Sequence, residues 1–133
     1  MITLTETRKL ALAKIAAAPA PTTADIAACA ASRECSKRAG GELRGNSTDR
    51  RNRTAYLLAE FGDGENCLCV FCGVRMGARS LTQDRIVSGS HGGRYRHANL
   101  LPACMRDNAA RELSGLSITD FMNTTESREG QMI

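Results

Sequence analysis

Two short spacings narrow what this chain can fold into more than anything else in it: Cys69-x-x-Cys72 and Cys104-x-x-Asp107. Gly73 follows the first pair and favours a tight knuckle that points both thiols the same way. The second pair stands where the apolar run Leu100-Leu101-Pro102 gives way to a helix-forming stretch, so its side chains lie one turn apart on one face. Two such pairs supply the four donors that a tetrahedral zinc ion takes. A carboxylate is an acceptable fourth donor, although thiolate is the softer and better one. Cys67 is the alternative to Asp107, but it lies only two residues from Cys69 and suits the knuckle less well.

A metal staple answers a need that composition creates. The chain has 133 residues with no Trp, two Tyr and three Phe, so large core-filling side chains are scarce. A small unit around residues 67–114 therefore wants a cross-link. Six cysteines in a chain with no secretory signal pattern point to reduced thiols and metal rather than disulfides. Cys29 and Cys35 match no ligand spacing with each other and are expected to pack within a helix. No apolar run reaches membrane-spanning length, so the expectation is a cytoplasmic protein with no membrane partner and no small-molecule cofactor.

The net charge of +4 is uneven. Residues 33–53 carry seven Arg or Lys against three acids, and residues 75–111 carry seven Arg against two acids. The remaining segments sum to a negative charge. Two Arg-rich blocks point to a phosphate backbone as partner.

Local signals give an α+β order of elements. Thr3 with Glu6 caps a helix over residues 3–17 whose apolar side holds Leu4, Leu10 and Ile15, and Ala-Pro-Ala-Pro ends it. Thr22 with Asp25 caps a second helix over 23–38, stopped by Gly40-Gly41. This region resembles a helix-turn-helix faintly, but the turn is one residue short and lacks its usual Gly, so a plain helical hairpin is expected. Ser47 or Thr48 caps a third helix over 49–61, with Arg50, Arg51 and Arg53 on its first turns. Cations there oppose the helix dipole, which favours a phosphate-contact role for them. Strands are expected over 80–88 and 95–101 around a Gly-rich loop, then helices over 104–113 and from Ser117, and a disordered tail over 124–133. Three parts follow: a helical region over 1–61, a metal-bound unit over 62–116, and a short helix with a tail over 117–133.

The run CLCVFCGVRMGARSLTQDRIVSGSHGGRYRHANLLPACMRDNAAR, about a third of the chain, resembles the zinc-supported HNH (ββα-metal) endonucleases, especially those carried by phages of actinobacteria. In that family a strand ending in D-H-I or D-R-I, a GG loop, an N-L-x-P-A-C strand and a C-x-x-C-N helix follow in this order. The resemblance implies a zinc-stapled ββα core behind an Ala-rich helical region, in the host cytoplasm if the chain is phage-encoded. It implies structural zinc at Cys69, Cys72, Cys104 and Asp107, the last standing where the family has a cysteine. It implies a catalytic Mg²⁺ or Mn²⁺ at Asp84 and Asn108, and Asn99 bracing the loop between the strands. The general-base His of the family is Arg85 here, and a guanidinium cannot take a proton from water. Arg85 could still stabilise phosphate charge, and His91 or His97 in the loop are the histidines left for proton transfer. DNA contacts are expected from Arg50, Arg51, Arg53, Arg85, Arg94, Arg96 and Arg106. The implied activity is metal-dependent phosphodiester hydrolysis of DNA. A nuclease-dead DNA-binding or regulatory protein and a host-protein interaction factor are the alternatives, and oligomeric state is left open.

Overall fold

Backbone capping sets most of the element boundaries. The computed structural model describes residues 2–35 and 44–133, with side chains omitted for 32–35. In chain order come α1 (Leu4–Ala17), α2 (Thr23–Cys35), α3 (Ser47–Phe61), β1 (Cys67–Leu68), β2 (Arg75–Met76), β3 (Leu81–Arg85), β4 (Leu100–Cys104), α4 (Met105–Ser114) and α5 (Ile118–Thr124). The mixture of helices with two separate antiparallel ribbons, β1–β2 and β3–β4, is α+β. The expected extension of the second helix to residue 38, its Gly40-Gly41 stop, the side chain of Cys35 and part of the first basic block lie outside the described residues. No helix among the described residues is long and apolar enough to cross a membrane.

Thr3 caps α1 by accepting from the Glu6 backbone N–H, and Thr22 and Asp25 cap α2 reciprocally. The third helix starts earlier than expected. Asn46, not Ser47 or Thr48, is its cap, because Asp49 completes a reciprocal pair of bonds with Asn46. On α1 the buried stripe is Leu4, Thr7 and Ala11, with Ile15 partly buried, while Leu10 is 44% exposed. Small side chains win that face because they let the helix lie close to the core.

One core joins α1, α3, the two ribbons and α5. Ala11 of α1 and Leu57, Leu58 and Phe61 of α3 share it with Val70, Phe71, Met76, Leu100, Leu101, Ile118 and Met122. Phe71 meets Phe121 edge to face at 5.1 Å. Lys14 of α1 pairs with Glu60 of α3 at 3.2 Å.

The second long strand runs later than expected. β4 is Leu100–Cys104, paired antiparallel to β3 with Asp84 opposite Leu101 and Leu81 opposite Cys104. A short 3-10 turn, His97–Asn99, takes the place of its predicted first half. Pro102 does not end the strand, because each strand of a two-stranded ribbon has an open edge where proline is tolerated. The Pro102 carbonyl instead accepts from the Val70 N–H at 3.1 Å, tying the ribbon to the knuckle.

Residues 126–133 are ordered rather than loose. Gln131 and Ile133 bond to the backbone of Arg75 at 2.9 and 3.0 Å, so the tail covers the edge of β2. Glu129 accepts from the Leu4 N–H at 2.5 Å. Composition alone pointed to disorder because the segment is polar. Its order comes from backbone pairing and charge, which composition does not report.

The Gly-rich loop is gripped from α2 by charge. Asp25 receives Arg96 at 2.9 and 3.0 Å and lies 3.5 Å from Arg94. The Arg96 hydrogen bonds, followed by the Thr22 backbone N–H, hold its carboxyl at about 2, below the ordinary 3.8. A depressed carboxyl adds stability in full above its unfolded value and loses it as pH falls through the folded one. Melting temperature should therefore drop between pH 3.8 and about 2, and Asp25→Asn should flatten that drop. An unchanged profile in the variant would contradict this.

Candidate metal centre and the groove beside it

The knuckle is built by three local devices. Asp63 accepts from the backbone of Glu65 and Asn66 at 2.9 and 2.8 Å, turning the chain out of α3 into β1. Cys69 N–H donates to Val74 O, and Gly73 N–H donates back to Cys69 O, both at 2.9 Å. Gly73 has φ +79°, and a Cβ there would stand 2.9 Å from a Leu4 methyl, so a glycine is needed twice over. Cys104 ends β4 and caps α4, its sulfur accepting from the Asp107 N–H at 3.4 Å.

These devices bring Cys69, Cys72, Cys104 and Asp107 together. Their donor atoms all lie within 4.8 Å of one another, and all four residues are buried. Cys72 and Cys104 sulfurs are 4.0 Å apart, and Cys69 lies 3.4 Å from an Asp107 oxygen. A tetrahedral ion with metal–sulfur bonds of about 2.3 Å asks for sulfur separations of roughly 3.8 Å. Both separations lie close to that, so the group can hold a metal ion. Cys67 is fully buried but lies outside it, its thiol pushed up to about 12 by burial. Burial also pushes the Cys69 thiol up, while hydrogen bonds from Cys104 and Cys69 hold the Cys72 thiol down.

A second constellation lies along β3 and α4. Asp84 is 3% exposed and receives both arms of Arg111, at 2.8 and 2.5 Å. Burial raises its carboxyl from the ordinary value, and Arg111 pulls the other way. Arg111 lies three residues beyond Asn108, on the same side of α4. Asn108 is half-buried and lines a groove of about 360 Å³ with Arg44, Arg50, Thr54, Gln83 and Tyr95. The guanidiniums of Arg85, Arg53 and Arg44 surround the Tyr95 ring at 4.4, 5.1 and 5.6 Å.

Asn99 clasps the loop from inside. Its amide accepts from Val87 N–H at 2.9 Å and donates to Val87 O and Arg94 O at 3.1 and 2.9 Å. A Cβ at Gly93 would fall 1.6 Å from Val87 O, so the loop closes this tightly only with glycine.

The expected DNA-facing arginines divide. Arg50, Arg51 and Arg106 are exposed, Arg51 bonding Thr48 and Arg106 lying 3.4 Å from Asp107. Arg53 is 6% exposed and donates to Gln83 and the Arg44 carbonyl, which makes it an internal brace rather than a surface cation. Arg94 and Arg96 are engaged by Asp25, and Arg85 donates to Gly93 O at 3.2 Å. His91 is exposed, with Nδ1 2.8 Å from the Ser88 hydroxyl. His97 stacks on Tyr56 at 4.0 Å and serves packing.

Sequence reading missed two residues. Arg111 reads from the sequence only as part of the second basic block, although its distance of three residues from Asn108 is a signal that the two share a face. Arg128 lay in the expected loose tail, yet it donates to Cys72 and Cys104 sulfurs at 3.3 and 3.1 Å, and nothing local in the sequence marks that.

Comparisons with protein-family models, with curated proteins and with solved structures find no match to this chain.

The geometry makes the metal claim specific to four side chains. Purified protein should carry about one metal ion per chain, measured by elemental analysis. Cys104→Ser and Asp107→Ala should lose most of it, whereas Cys67→Ala should keep it. Metal retained by Cys104→Ser would contradict the assignment.

Proposed function

We propose that the protein is a metal-dependent DNA endonuclease or nickase of the zinc-supported HNH type. The observation that carries this reading is a succession within one hairpin and one helix. Asp84 lies on β3, Asn99 clasps the loop, and Cys104, Asp107 and Asn108 stand together at the head of α4. Zinc is the ion best suited to the four-donor group, because closed, buried sites rich in thiolate are its structural sites. When bound, zinc cross-links the knuckle to α4 and contributes folding free energy. DNA is the partner whose charge fits: the residues lining the groove beside Asn108 include Arg44 and Arg50 and no carboxylate.

In the reaction, water adds to phosphorus, the bond from phosphorus to the leaving sugar oxygen breaks, that oxygen takes a proton from solvent to leave as the hydroxyl, and the attacking water gives up a proton to a base. Arg85 cannot accept that proton; its role is to stabilise charge on the phosphate oxygens. His91 is the candidate base, with Ser88 on Nδ1 and Nε2 as the ring nitrogen for the proton. Asn108 offers a neutral amide to the phosphate. The Mg²⁺ or Mn²⁺ implied by the family likeness does not fit at Asp84 while Arg111 holds both oxygens, so no step is drawn through it; metal-dependent cleavage would require Arg111 to release Asp84.

That same pair favours a second reading: a protein that binds DNA without cutting it. Asp84 closed by Arg111, with a guanidinium at position 85, is an arrangement that binding alone tolerates.

Supercoiled plasmid incubated with the protein and Mg²⁺ or Mn²⁺ separates the two. Nicking that disappears in Asp84→Ala supports cleavage. A salt-sensitive gel shift without nicking supports binding alone, and neither result rejects both. If His91 is the base, His91→Ala should slow nicking by about 10²–10⁴-fold with an unchanged gel shift; an unchanged rate would remove His91 from that role.

A further inference from the structure

We infer that Arg128 is a positioning residue of the metal centre and that metal binding and docking of the C-terminal segment reinforce each other. The inference rests on the four-donor group holding an ion, and not on any activity toward DNA. Three bonds fix Arg128 over the group. Its backbone N–H donates to Cys72 O at 2.5 Å, its Nε to the Cys72 sulfur at 3.3 Å, and its Nη2 to the Cys104 sulfur at 3.1 Å. The planar fork spans the two sulfurs that are 4.0 Å apart, one donated by the knuckle and one by the head of α4.

Charge explains why a cation belongs there. Three thiolates and a carboxylate around a divalent ion leave a net charge of about −2 in a buried place, and uncompensated buried charge is costly. Arg106 pairs with Asp107, and its side chain is 59% exposed. Arg128 is the cation that touches sulfur, among the described residues.

The segment has little else to hold it. No residue over 126–133 is buried, so apolar packing does not fix the tail. Its attachments are Arg128 on Cys72 and Cys104, Gln131 and Ile133 on Arg75, the Ser80 hydroxyl on the Ile133 carbonyl, and Glu129 on the Leu4 N–H. A docked Arg128 that tightens the ion must, by linkage, be docked more firmly by the ion, and by the same factor.

The test uses the full chain with Zn²⁺ alone, followed by chelator competition, and with Co²⁺ as a spectroscopic stand-in. Arg128→Gln should weaken Zn²⁺ binding by about 10–100-fold, the usual effect of removing an outer partner of a ligand. Arg128→Lys should recover part of that loss, because charge returns without the fork. The Co²⁺–thiolate absorption should keep its intensity in Arg128→Gln at saturating metal, since no ligand is lost. Limited trypsin treatment followed by mass analysis should release residues 129–133 faster from Arg128→Lys than from the unaltered chain. Zn²⁺ affinity in Arg128→Gln within about twofold of the unaltered protein would overturn the inference while leaving the metal centre standing. Failure of the unaltered chain to bind Zn²⁺ or Co²⁺ at all would overturn both.

Discussion

Everything near the groove depends on one convergence: the knuckle at Cys69 and Cys72 closing on the head of α4 at Cys104 and Asp107. More than thirty residues separate the two halves, so each half forms locally and a bound ion would join them. Backbone bonds between Cys69, Gly73 and Val74 shape one half, and the cap at Cys104 shapes the other. Structural zinc in small domains contributes on the order of 10 kcal/mol of apparent binding free energy. That exceeds what any single buried side chain of this core supplies, and the core has no Trp to compensate.

Arginine is used here for construction as much as for display. Arg53 braces α3 against Gln83, Arg96 and Arg94 bind the Gly-rich loop to α2 through Asp25, and Arg111 closes on Asp84. The two carboxylates among these partners, Asp25 and Asp84, are buried, and a buried carboxylate is stable only when paired. The positive charge left for a polyanion is therefore smaller than a count of basic residues implies. Arg44 and Arg50 line the groove with Tyr95 and Asn108. Asp84 and Asn108 lie along the same β3–α4 junction, and Arg111 decides how open Asp84 is.

What the sequence revealed had local causes. Cys-x-x-Cys-Gly, the caps at Thr3, Thr22 and Ser117, and the succession of strand, loop, strand and helix all follow from interactions within a few residues. What it concealed was set by distant partners. Leu10 looked like core, but the α1 face that packs is the smaller Leu4–Thr7–Ala11 stripe. Asn46 outcompeted the hydroxyls beside it because Asp49 answers it. Arg111 and the tail are the clearest cases: one cation of a basic block and a polar segment show no fixed partner until Asp84 and the edge of β2 are brought to them.

The account stands or falls on which atoms surround the ion. X-ray absorption at the zinc edge of the purified protein should show three sulfurs at about 2.3 Å and one oxygen at about 2.0–2.2 Å. A four-sulfur shell would mean that Cys67 replaces Asp107, and a shell without sulfur would mean that the knuckle and the head of α4 are not joined by metal at all.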